Sequence, residues 1–268
     1  MDHERQVHEM VEVFLDRLKA GRTNVVLTGA GVSTASGIPD FRGPGGLYSV
    51  LSPRTFERDF FFADPAAYYR VAIEHIHTLA DREPNVTHRM LARLEAAGLI
   101  KAVVTQNIDG LHQKAGSRRV IEFHGDVLRY FCVACEKVFD RGCVDDGIRR
   151  EGVPRCGCGG LIRPGIVFFG DVIPMEALAT AQELANRADV FIAMGSSLEV
   201  NPAAALAFVA HQAGATLMIV NRGPTRYDGV ADVRFETDLS DFSQAVLDRL
   251  NRAEAKEPEP PNAGHEGQ

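Results

Sequence analysis

The chain contains 268 residues, of which 45% are hydrophobic and 24% are charged. This length fits one large domain or one domain with a smaller module, and the composition excludes a fibrous or wholly disordered protein. The net charge of −7 argues against a general affinity for nucleic acid, because neutralising phosphates requires a basic surface.

Targeting and cysteine content point to a cytoplasmic protein. No segment approaches the roughly 18 consecutive apolar residues that span a bilayer, so we expect no membrane association. The first twenty residues are too charged for a secretory signal. The five cysteines are an odd number, which favours a bound metal or free thiols over a disulfide framework.

Helical and strand patterns alternate along the chain. Apolar residues recur at helical spacing from Val7 to Leu18, and Gly21 follows as a stop signal. Short apolar segments then predict strands, and amphipathic stretches over 174–187 and 202–213 predict helices; the strand segments cover 25–27, 99–105, 120–123, 189–194 and 216–220. This alternation predicts an α/β fold, with a parallel sheet covered by helices on both faces.

Each predicted strand is followed by polar or glycine-rich sequence. In parallel sheets of this kind, ligands bind beyond the carboxyl ends of the strands. The segments found there are 29–43, 106–112, 124–125, 195–197 and 221–223. We therefore expect these five segments to converge on one crevice.

Two insertions and a tail interrupt the alternating pattern. The main domain is predicted to comprise 1–52, 98–125 and 166–252. An aromatic-rich helical module over 53–97 and a cysteine-containing module over 126–165 would form a smaller lobe. Residues 253–268 lack aromatic and β-branched residues and are rich in Pro, Glu and Gly, so a disordered tail is expected.

The first glycine-rich loop is a candidate phosphate-binding turn. Gly29 and Gly31 follow a strand and would let main-chain N–H groups approach a pyrophosphate. Thr34 occupies the place of the usual third glycine, so a tight turn without a ligand is the alternative. Asp40-Phe41-Arg42, followed by further glycines, could form a lid that carries an arginine to the phosphates.

Polar residues at the other strand ends are candidates for ligand binding or catalysis. Gln106, Asn107 and Asp109 could hold a carboxamide or a ribose, although Asn107 or Asp109 could instead cap a helix. Asn221 could bind a ribose hydroxyl or serve as a plain turn residue. His124 could act as a general base, whereas a lone histidine is more often structural.

The cysteine spacing predicts a structural zinc site. Cys132 and Cys135 form one pair, and Cys156 and Cys158 form a second pair that is one residue tighter than the common spacing. Four thiolates fill a tetrahedral zinc ion and leave no open position, so the metal would be structural. Cys143 is expected to be a free or buried thiol.

Taken together, these motifs resemble those of the sirtuins, which are NAD-dependent protein lysine deacylases. The resemblance runs from about residue 8 to residue 250 and rests on the two cysteine pairs and on GAGVSTASGIPDFRG (29–43), TQNIDGLH (105–112), FHG (123–125), IVFFGD (166–171), GSSLEV (195–200) and IVNRGPT (219–225). It implies a Rossmann-like domain with a small lobe made of a helical module and a zinc-ribbon module. The Asp171 carboxylate stands where many sirtuins have Glu.

The resemblance also implies a set of site residues. His124 would be the catalytic base, assisted by Asn107 and Asp109. The remaining positions fall into two groups. The NAD-binding group is Gly29, Ala30, Gly31, Ser33, Asp40, Phe41, Arg42, Gln106, Asn107, Ile108, Asp109, Gly195, Ser196, Ser197, Asn221, Arg222 and Gly223; the substrate-binding group is Val167, Phe168, Phe169, Gly170, Leu198 and Glu199.

The implied reaction transfers an acetyl group from a protein lysine to the ADP-ribose part of NAD. Nicotinamide and O-acetyl-ADP-ribose are the expected products, and an acetylated protein or peptide is the expected partner. Three alternatives remain at this stage: transfer of ADP-ribose to protein or water at the same site, a non-catalytic NAD or acyl-lysine sensor, and, from the glycine turn alone, a dehydrogenase.

The helical module bears on which acyl group is removed. Sirtuins that prefer succinyl or malonyl lysine carry a Tyr-x-x-Arg pair there. Aligning Tyr68 and Tyr69 with that tyrosine places Val71 or Ala72 where the arginine would stand, and Arg70 is out of register. A preference for neutral acyl groups, acetyl first, is therefore expected.

Overall fold

The computed structural model describes residues 2–41, 43 and 45–255. The helices are α1 (Asp2–Ala20), α2 (Arg58–Ala63), α3 (Pro65–His75), α4 (Val86–Ala96), α5 (Leu111–Lys114), α6 (Arg141–Glu151), α7 (Met175–Asn186), α8 (Ala203–Gln212) and α9 (Leu239–Glu254). The strands are β1 (Asn24–Thr28), β2 (Ala102–Thr105), β3 (Val120–Glu122), β4 (Gly125–Cys132), β5 (Val138–Phe139), β6 (Ile162–Ile166), β7 (Val190–Met194), β8 (Thr216–Val220) and β9 (Val233–Phe235).

Six parallel strands form the main sheet in the order β3-β2-β1-β7-β8-β9. The chain builds outward from β1 through β2 to β3 and then returns to the other side of β1 with β7. This reversal of direction is the point at which α/β sheets of this type bind ligands. The order confirms the predicted Rossmann-like fold, and β9 is a sixth strand that the sequence did not predict.

Alternating residues of each strand supply two apolar cores, one on each face of the sheet. Val25 and Leu27 belong to the core under α7 and α8. Val26 faces the opposite core, where Phe14 of α1 meets Phe242 of α9 with ring centroids 5.2 Å apart. Burial on both faces explains why the strands are continuously apolar. Among the described residues, no helix is both long and apolar enough to cross a membrane.

The small lobe has its own sheet and its own core. Strands β5, β4 and β6 form an antiparallel sheet in that order. A third apolar cluster joins this sheet to α2 and α3, and its largest buried side chains include Phe61, Tyr68, Tyr69, Tyr130 and Phe168. The aromatic residues of 53–97 are therefore mainly core residues of this lobe.

Two predicted domain boundaries need correction. Met90, Leu91 and Leu94 of α4 pack in the core of the main sheet, so the helical module ends before α4 and not at residue 97. The local pattern of an amphipathic helix does not reveal which core its apolar face joins. At the other end, α9 continues to Glu254, which pairs with Arg93. The predicted tail thus begins too early, and its residues 256–268 lie outside the described residues.

Candidate active site

A cavity of about 1180 Å³ lies at the carboxyl ends of the parallel strands and extends to the small lobe. Most of the predicted site residues line it: Gly29, Ala30, Gly31, Asp40, Phe41, Gln106, Asn107, Ile108, His124, Val167, Phe168, Phe169, Gly170, Gly195, Ser196, Ser197, Glu199, Asn221, Arg222 and Gly223. Arg42 lies outside the described residues. The cavity exceeds the range of roughly 300–1,000 Å³ typical of small-ligand pockets.

The glycine turn after β1 packs directly against the turn after β7. The N–H of Gly29 donates to Met194 O at 3.1 Å, and that of Gly31 donates to Gly195 O at 2.9 Å. A β-carbon at residue 29 would lie 2.7 Å from Cβ of Ser196, and one at residue 31 would lie 2.9 Å from Gly195 O. These glycines are required because no side chain fits between the two turns.

A chain of hydrogen bonds fixes the polar residues after β2. The side-chain nitrogen Nδ2 of Asn107 donates to Gly29 O and to Ser33 Oγ, both at 3.1 Å. Ser33 Oγ donates in turn to Asp109 Oδ2 at 2.6 Å, and Asp109 Oδ1 accepts from the N–H of Leu111 at 2.9 Å. Asn107 therefore lines the cavity in a set orientation, while Ser33 and Asp109 are buried behind it.

Burial dominates the electrostatics of Asp109. Desolvation raises the pKa of this carboxyl, whereas the hydrogen bonds from Ser33 and Leu111 act in the opposite direction. Both donors are neutral groups. When Asp109 is ionised, its negative charge would attract a cationic ring bound on the cavity side of Asn107.

The imidazole of His124 is held by a single main-chain hydrogen bond. Its Nδ1 lies 3.0 Å from Gln106 O, and since a carbonyl only accepts, Nδ1 carries the proton and Nε2 keeps its lone pair. Burial lowers the pKa of His124, although the Gln106 carbonyl opposes the shift. The imidazole is therefore neutral near pH 7, the state that a general base needs.

The main chain around His124 depends on glycine. Gly125 has φ +72°, and a β-carbon there would lie 1.9 Å from Gly165 O. The carbonyl of His124 accepts the N–H of Val167 at 2.9 Å. His124 and the segment after β6 are thus directly connected.

Two buried histidines support this site, and the sequence analysis assigned them no role. His88 Nε2 lies 3.4 Å from Ser33 Oγ, and His112 Nε2 lies 3.0 Å from Thr28 Oγ1. Their ring centroids are 4.9 Å apart. Burial lowers the pKa of His88 to about 4 and that of His112 to about 3, so both are neutral. His112 lies within the TQNIDGLH motif; nothing in the sequence singles out His88.

The turns after β7 and β8 form the opposite end of the cavity. Ser196 Oγ accepts from Gln106 Nε2 at 3.1 Å and from the N–H of Leu198 at 3.2 Å. Leu198, which the resemblance placed among the substrate-binding residues, is fully buried in the core under α7 and α8 and does not line the cavity. Arg222, which lines the cavity, pairs with Asp238.

The segment after β6 forms one bank of the cavity. Val167 is half-buried, Phe168 is buried, and Phe169 is 49% exposed. Phe169 is tied to the helical module, because its N–H donates to Phe56 O at 2.7 Å and its carbonyl accepts from the N–H of Arg58 at 2.9 Å. Glu199 stands on the lining of the same cavity as an exposed side chain.

The four predicted zinc ligands come together in the small lobe. All Sγ atoms of Cys132, Cys135, Cys156 and Cys158 lie within 4.8 Å of one another. The closest pairs are 3.5–3.6 Å apart, near the roughly 3.8 Å expected across a tetrahedron with Zn–S bonds of about 2.3 Å. A disulfide would require about 2.05 Å. The donor set therefore fits one structural zinc ion, and Cys143 is a separate exposed thiol.

The comparisons with known proteins agree with this geometry. The Sir2 family model matches residues 29–202. An NAD-dependent protein deacetylase of Thermotoga maritima is 48% identical over 236 residues, which cover 88% of this chain and 96% of that protein. The chain belongs to the Sir2 family. The sirtuin resemblance inferred from the motifs is confirmed.

Solved structures of the Sir2 family share the fold over nearly the whole chain. One, described as Sir2 with deacetylated p53 peptide and 3′-O-acetyl ADP-ribose, has a TM-score of 0.87 at 47% identity and covers 89% of this chain and 97% of that one. Another, described as Sir2 with p53 peptide and NAD+, has a TM-score of 0.85 at 46% identity and covers 89% and 98%.

Proposed function

We propose that this chain removes acetyl groups from protein lysines with NAD as its second substrate. One water is consumed, and the products are the free lysine, nicotinamide and O-acetyl-ADP-ribose. One observation carries the proposal: a neutral imidazole with a free Nε2, at His124, lines a cavity that also contains the Gly29–Gly31 turn and the segment after β6. Curated relatives with nearly the same length are NAD-dependent protein deacetylases.

The cavity residues fit NAD along its whole length. In the loop after β1, the N–H groups of Gly29 and Gly31 are bonded to Met194 O and Gly195 O, so the pyrophosphate would meet other groups of this loop, such as the main chain of Ala30, with Asp40 and Phe41 beside it. Gln106, Asn107, Ile108 and the buried pair Ser33 and Asp109 would hold the nicotinamide end. The turns at 195–197 and 221–223 would hold the adenosine end. Bound NAD supplies nicotinamide as a leaving group and a ribose hydroxyl as acceptor of the acetyl group.

His124 is the proposed general base. Because Nδ1 is bonded to Gln106 O, Nε2 is the atom that takes the proton from a ribose hydroxyl. Asn107 and Asp109 orient the nicotinamide end through the hydrogen bonds that join them to Ser33. Phe41, which packs against Tyr48 and Phe56, would keep water from the reacting carbon.

The acetylated peptide is proposed to bind as an added strand. Val167 and Gly170 on one bank and Glu199 on the other would pair with its main chain, whereas the proposed contact through Leu198 would require this buried residue to become accessible. Such pairing reads backbone groups and tolerates many sequences. The acetyl-lysine side chain would then extend toward His124, which is hydrogen-bonded to Val167.

The deciding experiment combines an acetyl-lysine peptide, NAD and the purified chain. Mass spectrometry should detect O-acetyl-ADP-ribose and nicotinamide in equal amounts with the deacetylated peptide. His124→Ala should lower kcat by at least about a hundredfold with an unchanged unfolding temperature, since general-base catalysis contributes roughly 10²–10⁴-fold. Retained turnover in the variant would remove His124 from its role.

The same experiment separates the alternative reaction. Transfer of ADP-ribose to protein or water would give protein-linked or free ADP-ribose without requiring an acetylated lysine. Finding those products in place of O-acetyl-ADP-ribose would overturn the proposal.

The cytoplasm is the compartment that we propose. None of the five cysteines forms a disulfide, which suits a reducing environment. Fractionation of cells that produce the protein tests this assignment, and recovery from an exported or membrane fraction would contradict it.

A further inference from the structure

A largely buried ion pair joins the two ends of the segment that forms the peptide bank of the cavity; Asp171 also lines the cavity, whereas Arg163 does not. Arg163 of β6 has a side chain only 10% exposed, and that of Asp171 is 13% exposed. Nη2 and Nη1 of Arg163 lie 2.5 and 3.3 Å from the two carboxylate oxygens of Asp171, and Nη2 also donates to Ile166 O at 3.0 Å. The guanidinium therefore contacts both the first and the last residue of the segment 166–171.

Aromatic rings hold the guanidinium in place. Its Cζ lies 4.8 Å from the ring centroid of Phe168, 5.5 Å from that of Phe131 and 5.9 Å from that of Phe61. Arginine can contact rings and a carboxylate at once because its guanidinium is planar and presents several donors. Lysine at this position would keep the charge but lose the two-pronged contact.

Asp171 also closes the turn that follows Val167. Its carboxylate accepts the N–H of Phe168 at 3.0 Å, and its own N–H donates to Phe168 O at 3.0 Å. Gly170 has φ +94°, a conformation that favours glycine. Both main-chain groups of Phe168 are thus used inside the turn.

These contacts determine which main-chain groups a peptide can reach. Phe169 is bonded to the helical module through both its N–H and its carbonyl, and the N–H of Val167 is bonded to His124. Within the described part of the chain, the Val167 carbonyl and both main-chain groups of Gly170 are left without a partner. Val167 and Gly170 line the cavity, so these groups can pair with a peptide strand.

We propose that Arg163 and Asp171 are positioning residues that hold 167–170 in the shape needed to bind the acetyl-lysine peptide, without taking part in NAD binding. This inference rests on the proposed deacetylase function. Replacing a buried ion pair by apolar groups is often neutral for stability, so stability alone gives little reason for this pair. Holding a binding edge rigid reduces the ordering cost of association.

The test uses variants that alter the ion pair while keeping its volume nearly constant. Arg163→Lys and Asp171→Asn should each weaken binding of a fluorescently labelled acetyl-lysine peptide by about tenfold, which corresponds to about 1.4 kcal/mol. NAD affinity, measured separately by calorimetry, should change less than about twofold. Asp171→Glu keeps the charge and should retain peptide affinity within about threefold, a rescue that turn closure by the carboxylate predicts.

Arg141→Lys is the matched control. Arg141 lies in the same lobe and pairs with Asp81 at 2.7 Å, but it does not line the cavity. It should leave peptide affinity unchanged even if the unfolding temperature falls as much as in Arg163→Lys. The proposal would be overturned if Arg163→Lys and Asp171→Asn lost peptide affinity and NAD affinity equally. It would also be overturned if both variants kept their peptide affinity.

Two further outcomes are decisive. If a single variant fails to fold because it leaves a buried charge unpaired, the double variant Arg163→Met with Asp171→Asn decides: it removes both charges and should still lose peptide affinity while keeping NAD affinity. If the unaltered protein binds and deacetylates the peptide while the variants bind it equally well, the positioning role fails and the proposed function stands.

Discussion

The proton-accepting atom of His124 is selected by one main-chain carbonyl. The bond from Nδ1 to Gln106 O leaves Nε2 as the acceptor, and Gly125 makes the required chain direction possible. The sequence could predict His124 as a candidate from its place after a strand. It could not predict the tautomer, because Gln106 is 18 residues away and meets the ring only in the folded sheet.

The pH dependence of the reaction should reflect the lowered pKa of His124. Burial favours the neutral imidazole, so this pKa lies below its usual 6.5. As the pH falls from 8, the imidazole stays neutral until the pH approaches this lowered pKa. We expect kcat/KM for an acetyl-peptide at saturating NAD to be flat from pH 8 to 6.5 and to decline only at lower pH. An acidic limb with its midpoint above 6.5 would contradict this account.

The structure around Ser33 shows why some functional residues escape prediction. His88 lies on α4, whose start is capped by Asn85 through the N–H groups of Thr87 and His88. In the sequence His88 looks like one more polar residue in the first turn of a helix. Only the packing of α4 on the main sheet brings it within 3.4 Å of Ser33.

At the scale of elements, helix α3 contributes no arginine to the lining of the cavity. Tyr68 and Tyr69 are fully buried in the small-lobe core, where the Tyr69 hydroxyl donates to Ile162 O at 2.6 Å. Ala72 is buried and Arg70 is exposed. Arg222 is the one arginine or lysine among the described lining residues of the cavity, and it is paired with Asp238.

Acetyl-lysine should therefore be preferred over succinyl-lysine. A buried carboxylate without a cationic partner costs several kcal/mol, and about 2.8 kcal/mol corresponds to a hundredfold change. We expect kcat/KM for a succinyl-lysine peptide to be at least about a hundredfold below that for the acetyl peptide of the same sequence. Faster turnover of the succinyl peptide would show that a cation reaches the acyl group.

Most elements could be predicted because their signals are local. The five predicted strands and the helices over 174–187 and 202–213 needed only short-range apolar patterns and flanking stop signals. Strand β9 has three residues, Val233–Phe235, and so short a segment shows no repeating pattern of apolar residues. The predicted end of the helical module at residue 97 was wrong for another reason. An amphipathic pattern shows that α4 buries one face, but it does not show which core that face joins.

At the scale of the whole molecule, the three apolar clusters predict different responses to loss of metal. Two clusters belong to the main sheet, whereas the third includes Cys132 and Cys156 and belongs to the small lobe. Zinc binding contributes directly to the folding free energy of small metal modules. The lobe should thus depend on the metal far more than the main sheet does.

Calorimetry with zinc analysis tests this dependence. Treatment with a chelator should split unfolding into two transitions, with the lobe melting first. Cys156→Ser should lose the single zinc ion and show the same early transition. Cys143→Ser should retain one zinc per chain and melt like the parent, because Cys143 lies outside the cluster. A Cys156→Ser protein that keeps its zinc would refute the four-thiolate assignment.

The sequence also predicted the convergence of distant loops on one crevice. That prediction followed from topology, since the carboxyl ends of parallel strands share one edge. The side-chain contacts that complete the site did not follow. The pairing of Arg163 with Asp171 and the link from Val167 to His124 depend on the antiparallel register of β6 against β4, and no spacing along the chain encodes that register.

The hydrogen bond between the N–H of Val167 and the carbonyl of His124 has an evolutionary consequence. Any shift of the segment around Val167, the proposed edge for the peptide, would also displace the imidazole of His124, the proposed base. New sequence preferences should therefore arise through exposed side chains such as Phe169, while the path of the backbone remains the same. Related proteins with different sequence preferences should therefore share this backbone path and differ in the exposed side chains along it.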